Sequence, residues 1–277
     1  MKKNIVIIGP TASGKSDLSL QLAKQHQCSV ISADAFQIYK EFTIGTGKLN
    51  LDDQNGVTHF LIDELHPETP YSVQDFLIKV NSLYTERPSE RFIICGGSAM
   101  YIKSLLYGYQ PLKRLPSTQR PEGTPQHLWD QLHAIDPDLA QKTPYQNKQR
   151  VQRYLELYQI YGKPPSSLFK SSPMDSDNYQ VMGILIENTI LKDRINQRVD
   201  CMINKGLVDE VDYLMKKYDS NSQGFQAIGY KEPIAYLQGK ISKDTMIQLI
   251  KKNSFQYAKR QMTWFRTFDN VHWIPKK

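Results

Sequence analysis

The fold is decided by "NIVIIGPTASGKS", residues 4–16. The run "NIVII" reads as a buried strand, and "GPTASGKS" has the Gly-x-x-x-x-Gly-Lys-Ser form of a phosphate-cradling loop between a strand and a helix. In such a loop Gly9, Pro10, Thr11, Ala12, Ser13 and Gly14 carry the backbone tightly round an anion. Lys15 adds a point charge, and the Ser16 hydroxyl suits a Mg2+ ion shared with the phosphates. Leu18, Leu22 and Ala23 then recur at helical spacing, so the loop opens a helix whose N-terminus faces the anion. A chance glycine turn would need neither the strand before nor the helix after.

Three further apolar runs, at residues 30–32, 92–95 and 181–186, read as strands of the same parallel sheet. Helical patterns alternate with the first strands, giving an α/β fold, a P-loop-type parallel sheet flanked by helices. From about Pro111 to Asp177 the alternation stops. "HLWDQLHAIDPDLAQK" and "NKQRVQRYLELYQIYGK" read as helices, and "PPSSLFKSSPMDSD" as a loop-like exit. The expected organisation is a catalytic core over residues 1–111 and 178–277, interrupted by a small all-helical insertion lobe at 112–177 on flexible arms. Long helices are expected over about 191–217 and 243–268.

The 277 residues can bury a substantial core. Cys28, Cys95 and Cys201 are too scattered for a zinc knuckle and fit a reducing compartment. The opening apolar run is too short for a signal peptide or a membrane span, so a cytoplasmic protein is expected. A net charge of +7 and a pI near 9.1 favour an acidic partner. From Lys251 onward seven Lys or Arg face one acid, Asp269, which suits contact with a phosphate backbone. The aromatic residues there, Phe255, Tyr257, Trp264, Phe265 and Phe268, read as core on amphipathic spacing.

In an open parallel sheet, ligands bind outside the carboxyl ends of the strands. Lys15, Ser16, Asp34 in "SADAFQIY" and Ser98 in "CGGSAMY" should therefore share one rim. Asp34 as a turn residue and Ser98 as a helix N-cap are the plain alternatives. A phosphate-loop ATPase wants an acid at the end of an apolar strand, yet "RFIICGG" ends in glycines and Glu187 lies beyond its run. The loop is thus expected to hold a diphosphate as a leaving group instead of a phosphoryl group in transit.

Six blocks in order, "GPTASGKS", "ISADAFQIYKEFTIGTGK", "GGSAMYIKSLL", "QRVQRYLELY", "AIGYKE" and "KRQMTWFR", resemble the tRNA dimethylallyltransferase family, the bacterial tRNA isopentenyltransferases. The resemblance spans nearly the whole chain. It implies transfer of the dimethylallyl group of dimethylallyl diphosphate to N6 of adenosine 37 beside the tRNA anticodon, with Mg2+ and without ATP. It further implies that Asp34 is the general base and that Ser98, at a position usually held by threonine, lies near the reacting amine. Arg198 matches an arginine on the donor diphosphate, and Arg194 is its neighbour one turn away; surface ion pairs with Asp193 or Glu187 are the plain alternative for both. The tRNA-facing blocks match Asp34, Ala35, Phe36, Gln37 and Ser98, then Arg120, then Gln149, Arg150, Val151, Gln152 and Arg153, and finally Gln226, Ala227, Ile228, Gly229, Tyr230 and Lys231. A monomer is expected.

Where the family commonly has Gly-Met-Asp-Ile-Gly-Thr-Ala-Lys, this chain has "EFTIGTGK", which places Glu41 and Thr43 near the loop. Ala35 replaces a frequent serine, and Lys148 stands in "QNK" where Asn-Asp-Pro is usual. Other readings sharing parts of the pattern are an adenylate isopentenyltransferase acting on free AMP, ADP or ATP, a P-loop small-molecule kinase, and a non-catalytic RNA-binding module.

Overall fold

The structure, a computed structural model, describes residues 3–50, 52–108, 112, 115–169 and 173–276. The opening run forms β1 (Asn4–Ile8), and the phosphate loop passes directly into α1 (Lys15–His26). Next come β2 (Ser29–Ser32), β3 (His59–Phe60), α2 (Val73–Glu86), β4 (Phe92–Cys95) and α3 (Ala99–Leu106). The helices α4 (Pro125–Ile135), α5 (Pro137–Gln141) and α6 (Lys148–Tyr161) precede β5 (Tyr179–Ile186). The chain ends with α7 (Asn188–Asn204), α8 (Leu207–Lys217), α9 (Lys231–Leu237), α10 (Lys243–Phe265) and β6 (Val271–Lys276).

All strands pair in parallel, in the order β3-β2-β4-β1-β5-β6. Side chains of β1 alternate between the two faces. Ile5 and Ile7 pack with Ala23 of α1, while Val6 and Ile8 join the larger core on the opposite face. Because both faces are covered, the strand reads as a continuous apolar run. Truncating Ile7, which is fully buried, should cost roughly 2–5 kcal/mol.

Two strands were not anticipated. β3 has only two residues, too few to show a pattern. β6 carries Pro275, which a central strand would exclude but an edge strand tolerates on its unpaired side. Its register places Lys276 opposite Ile186, at the carboxyl end of the sheet.

The chain divides into two compact units, Met1–Gly108 with Met174–Lys277, and Tyr109–Pro173. The expected lobe boundary at 177 moves back, because Met174 is buried in the main core and the Asp175 N–H donates to the Leu106 carbonyl at 2.8 Å. The expected arms fall largely on residues 109–111, 113–114 and 170–172, outside the described residues. The second unit has its own core of Leu128, Leu132, Ala140, Val151 and Leu157. Thr124 caps α4 with Pro125 at the first position, and Asn147 caps α6.

Candidate active site

The phosphate loop turns on three residues of positive φ, the first of them Gly9 at 156°. Ala12 has φ 61° and Gly14, the N-cap of α1, has φ 87°. A side chain at Gly14 would be strained, and a Cβ there would lie 2.1 Å from the Nζ of Lys276. Lys15 donates to the Pro10 carbonyl at 2.7 Å. Burial pushes its pKa down to about 8; the charge of Arg198 adds to that shift, while Cys95 and Asp34 oppose it. Not every amide of the loop is open to an anion. The Thr11 N–H donates to Gln261 Oε1 at 2.8 Å, and the Ser13 N–H to the Pro10 carbonyl. Those of Lys15 and Ser16 begin a helix and have no intrahelical partner.

Asp34 follows β2 by one residue, and its Oδ1 accepts the N–H groups of Phe36 at 2.9 Å and Gln37 at 3.3 Å. The turn role and the rim position thus coexist. Ser98 precedes α3 but makes no side-chain cap to it. Its Oγ instead accepts the Ala35 N–H at 3.1 Å, tying the end of β4 to the end of β2. Used as an acceptor there, the hydroxyl keeps its own proton to donate. β4 ends at Cys95 and is followed by Gly96 and Gly97, with no acid.

Three cavities meet at these residues. One of about 350 Å³ is lined by Asp34 and Phe36, by Ile195, Val199 and Ile250, and by Tyr257. A small one of about 70 Å³ joins Asp34 to Lys15, Ser16 and Gln37. The third, about 590 Å³, gathers Lys15, Ser16, Arg194, Arg198 and Lys276. Arg198 lines both large cavities, and Asp34 lines the apolar one and the small one, whose Lys15 and Ser16 also line the third. Burial lowers the Arg198 pKa, against the pull of Asp34. The guanidinium reaches the Thr46 carbonyl at 3.4 Å across Gly47, which has φ 61° and where a Cβ would lie 2.0 Å from it.

The wall carrying Thr46 and Gly47 is held by Glu210, which sequence reasoning missed. Its carboxylate accepts the N–H groups of Thr43, Ile44 and Gly45 and the Tyr230 hydroxyl at 2.7 Å. Gln261 and Tyr257 were missed as well. Gln261 bridges the Thr11 N–H to the Gly97 carbonyl, and Tyr257, expected only as core, faces Asp34, whose charge adds to burial in raising its pKa to about 12. Phe265 and Phe268 are core, whereas Trp264 is exposed.

Several residues matched to tRNA contacts are otherwise engaged. Tyr230 is fully buried, Ala227 nearly so, and Val151 fills the core of the second unit. Gln37 spends its amide on Ser32 and Thr46, and Gln152 donates to the Pro121 carbonyl. Arg153 pairs with the buried Glu156 at 2.8 Å. Arg150 donates to the Tyr154 hydroxyl but is exposed, as are Arg120, Gln149, Gln226 and Lys231. Ile228 and Gly229 line the 350 Å³ cavity with Gln226.

A family model described as IPP transferase matches residues 37–268. The chain belongs to the IPP transferase family. A tRNA dimethylallyltransferase of Acetivibrio thermocellus is 39% identical, over 100% of this chain and 92% of that one. One from Staphylococcus haemolyticus is 37% identical, covering 99% and 86%. Among solved structures, the tRNA delta(2)-isopentenylpyrophosphate transferase of Staphylococcus epidermidis superposes with a TM-score of 0.73 at 35% identity, covering 99% of this chain and 93% of that one. A eukaryotic dimethylallyltransferase acting on tRNA gives 0.84 at 27% identity, covering 99% and 74%. Within this family's pattern, Glu41 occupies a position where glycine is common, and it keeps the left-handed backbone at φ 70°. Its carboxylate accepts from Lys217 at 2.8 Å and from the Tyr218 hydroxyl at 2.6 Å.

Proposed function

We propose that this IPP transferase moves the dimethylallyl group of dimethylallyl diphosphate to N6 of adenosine 37 in a tRNA anticodon loop and releases diphosphate. The observation that carries the reading is the position of Asp34, shared between an apolar cavity and the pocket of Lys15 and Ser16. The N6 lone pair attacks C1 of the allylic group, the C1–O bond breaks, and its electron pair leaves with the diphosphate. The N6 proton passes to the Asp34 carboxylate, a step typically worth about 10²- to 10⁴-fold. Lys15 and Arg198, with Arg194 beside them, stabilise negative charge as it develops on the leaving group. Ile195, Val199 and Ile250 give the five-carbon chain an apolar wall that keeps water from the reacting carbon. Ser98 holds the Asp34–Gln37 turn and directs its hydroxyl proton to the reacting groups.

Among the described residues no group of three or more His, Cys, Asp or Glu is arranged for a metal. The exposed Ser16 hydroxyl beside Lys15 fits Mg2+, which binds few protein oxygens and takes the rest from phosphates and water. The ion would neutralise charge on the diphosphate. Adenosine 37 is stacked in its loop and must be extruded to reach Asp34. Gln226 and Ile228 then flank the cavity, and Arg120, Gln149 and Arg150 offer exposed contacts for the RNA. Among the described residues no helix is long and apolar enough to cross a membrane.

Radiolabelled dimethylallyl diphosphate offered with Mg2+ to an unmodified anticodon stem-loop and, separately, to AMP tests the reading. Label on the stem-loop alone supports it; label on AMP would move the chain to the adenylate transferases. ATP hydrolysis with no label on either would make the loop an ATP site.

A further inference from the structure

The 590 Å³ cavity contains one cation that no block of the sequence assigns to the donor. Lys276 was grouped with the basic residues of the final stretch, as a contact for RNA phosphate. β6 is instead an edge strand running parallel to β5, so its last residue arrives at the same rim as the phosphate loop. The Nζ of Lys276 lies so close to Gly14 that a Cβ on that glycine would be 2.1 Å away. It lines the cavity with Lys15, Ser16, Arg194 and Arg198. Asp17, in the first turn of α1, is the acid of that cavity, but among the described residues no carboxylate pairs with Lys276.

We infer that Lys276 is a donor-binding residue, whose ammonium binds the diphosphate of the allylic substrate in the cavity it shares with Lys15 and Arg198. This rests on the donor reading above and adds to it a contact made by a strand far from the loop in sequence. The chemistry is that of a point charge on phosphate oxygens. Three donors on a flexible stem can follow the diphosphate as its charge grows, whereas Lys15 is held within the loop. The edge strand β6 thus brings the ammonium to the loop from its last described residue.

The test titrates inorganic diphosphate with Mg2+, and separately the anticodon stem-loop, into the full chain and into Lys276→Ala, Lys276→Arg and Lys15→Ala. Lys276→Ala should weaken diphosphate binding roughly ten- to hundredfold, the range of a charge-assisted hydrogen bond. Stem-loop affinity should hold, and Lys276→Arg should recover most of the loss. In turnover, Lys276→Ala should raise the KM for the donor without raising that for the stem-loop. Unchanged diphosphate affinity in Lys276→Ala, with a large loss in Lys15→Ala, would overturn the inference and leave the donor pocket standing. A loss of stem-loop affinity alone would return Lys276 to the RNA. If Lys15→Ala also bound diphosphate as the unaltered chain does, the donor reading itself would fall, and this inference with it.

Discussion

The hydroxyl of Ser98 accepts the backbone N–H of Ala35 at 3.1 Å, so the residue after Asp34 is fixed by a side chain from another strand end. Removing the hydroxyl frees the turn that aims the carboxylate. Ser98→Ala should lower kcat about tenfold or more while changing stability by only about 1 kcal/mol, the usual net worth of one hydrogen bond. Ser98→Thr should keep most of the activity. Single-turnover transfer rates beside thermal melts check both.

Gln261 spans the loop and the end of β4 with one buried amide. Gln261→Leu leaves the Thr11 N–H and the Gly97 carbonyl without that partner, each a loss of about 1–3 kcal/mol if the group stays dry. Gln261→Glu keeps an acceptor for Thr11 and loses the donor to Gly97. Urea unfolding should therefore rank the variants with Leu least stable.

Glu210 orders the loop that supports Arg198. Its neutralisation in Glu210→Gln weakens three backbone contacts and the bond from Tyr230 together. The expected result is a raised KM for the donor and faster amide exchange at Thr43–Gly45, read by hydrogen–deuterium exchange. Unchanged exchange would remove Glu210 from this role.

The lowered pKa of Lys15 sets a pH dependence. Below about 8 the amine is charged and suited to a diphosphate; above it the free enzyme loses that charge. The profile of kcat/KM for the donor reports the free enzyme, so it should fall on the basic side with an apparent pKa near 8. Lys15→Arg should abolish that limb. For stability the sign is opposite. Between about 8 and the ordinary lysine value of 10.5 the unfolded chain binds more protons at this residue, so its contribution favours folding as pH rises.

Glu41 holds a left-handed backbone that glycine would adopt freely, and offsets the strain with Lys217 and Tyr218. Glu41→Ala keeps the strain and loses the partners, so it should melt lower than Glu41→Gly. The bonds from Lys217 and Tyr218 lower the Glu41 pKa. Its small, solvent-screened contribution is thus present above the ordinary carboxylate range and lost as pH falls through the lowered value.

The parts legible in the sequence were those whose signal is local. β1, the loop and α1 follow one another within 23 residues, Asn4–His26, and Asp34 and Ser98 come two and three positions after the last residues of short buried strands. The order of blocks supplied the family. β3 was illegible because two residues carry no period, and β6 because Pro275 argues against a strand unless the edge is known. Gln261 meets Thr11 across 250 positions and Glu210 meets Ile44 across 166, so neither contact leaves a pattern in its own segment. Tyr230 and Val151 show the converse limit, since a block matched to RNA contacts does not distinguish its buried side chains from its exposed ones.

The central claim is that the Asp34 carboxylate takes the proton of the attacking amine beside a pocket that holds diphosphate. Its most direct test is the single-turnover rate of dimethylallyl transfer to an anticodon stem-loop by Asp34→Asn, with affinities for the stem-loop and for inorganic diphosphate measured on the same protein. The account predicts a rate lower by about 10²-fold or more with both affinities within a few-fold of the unaltered chain. A transfer rate that survives the substitution, or one lost only because the stem-loop or the diphosphate no longer binds, would contradict it.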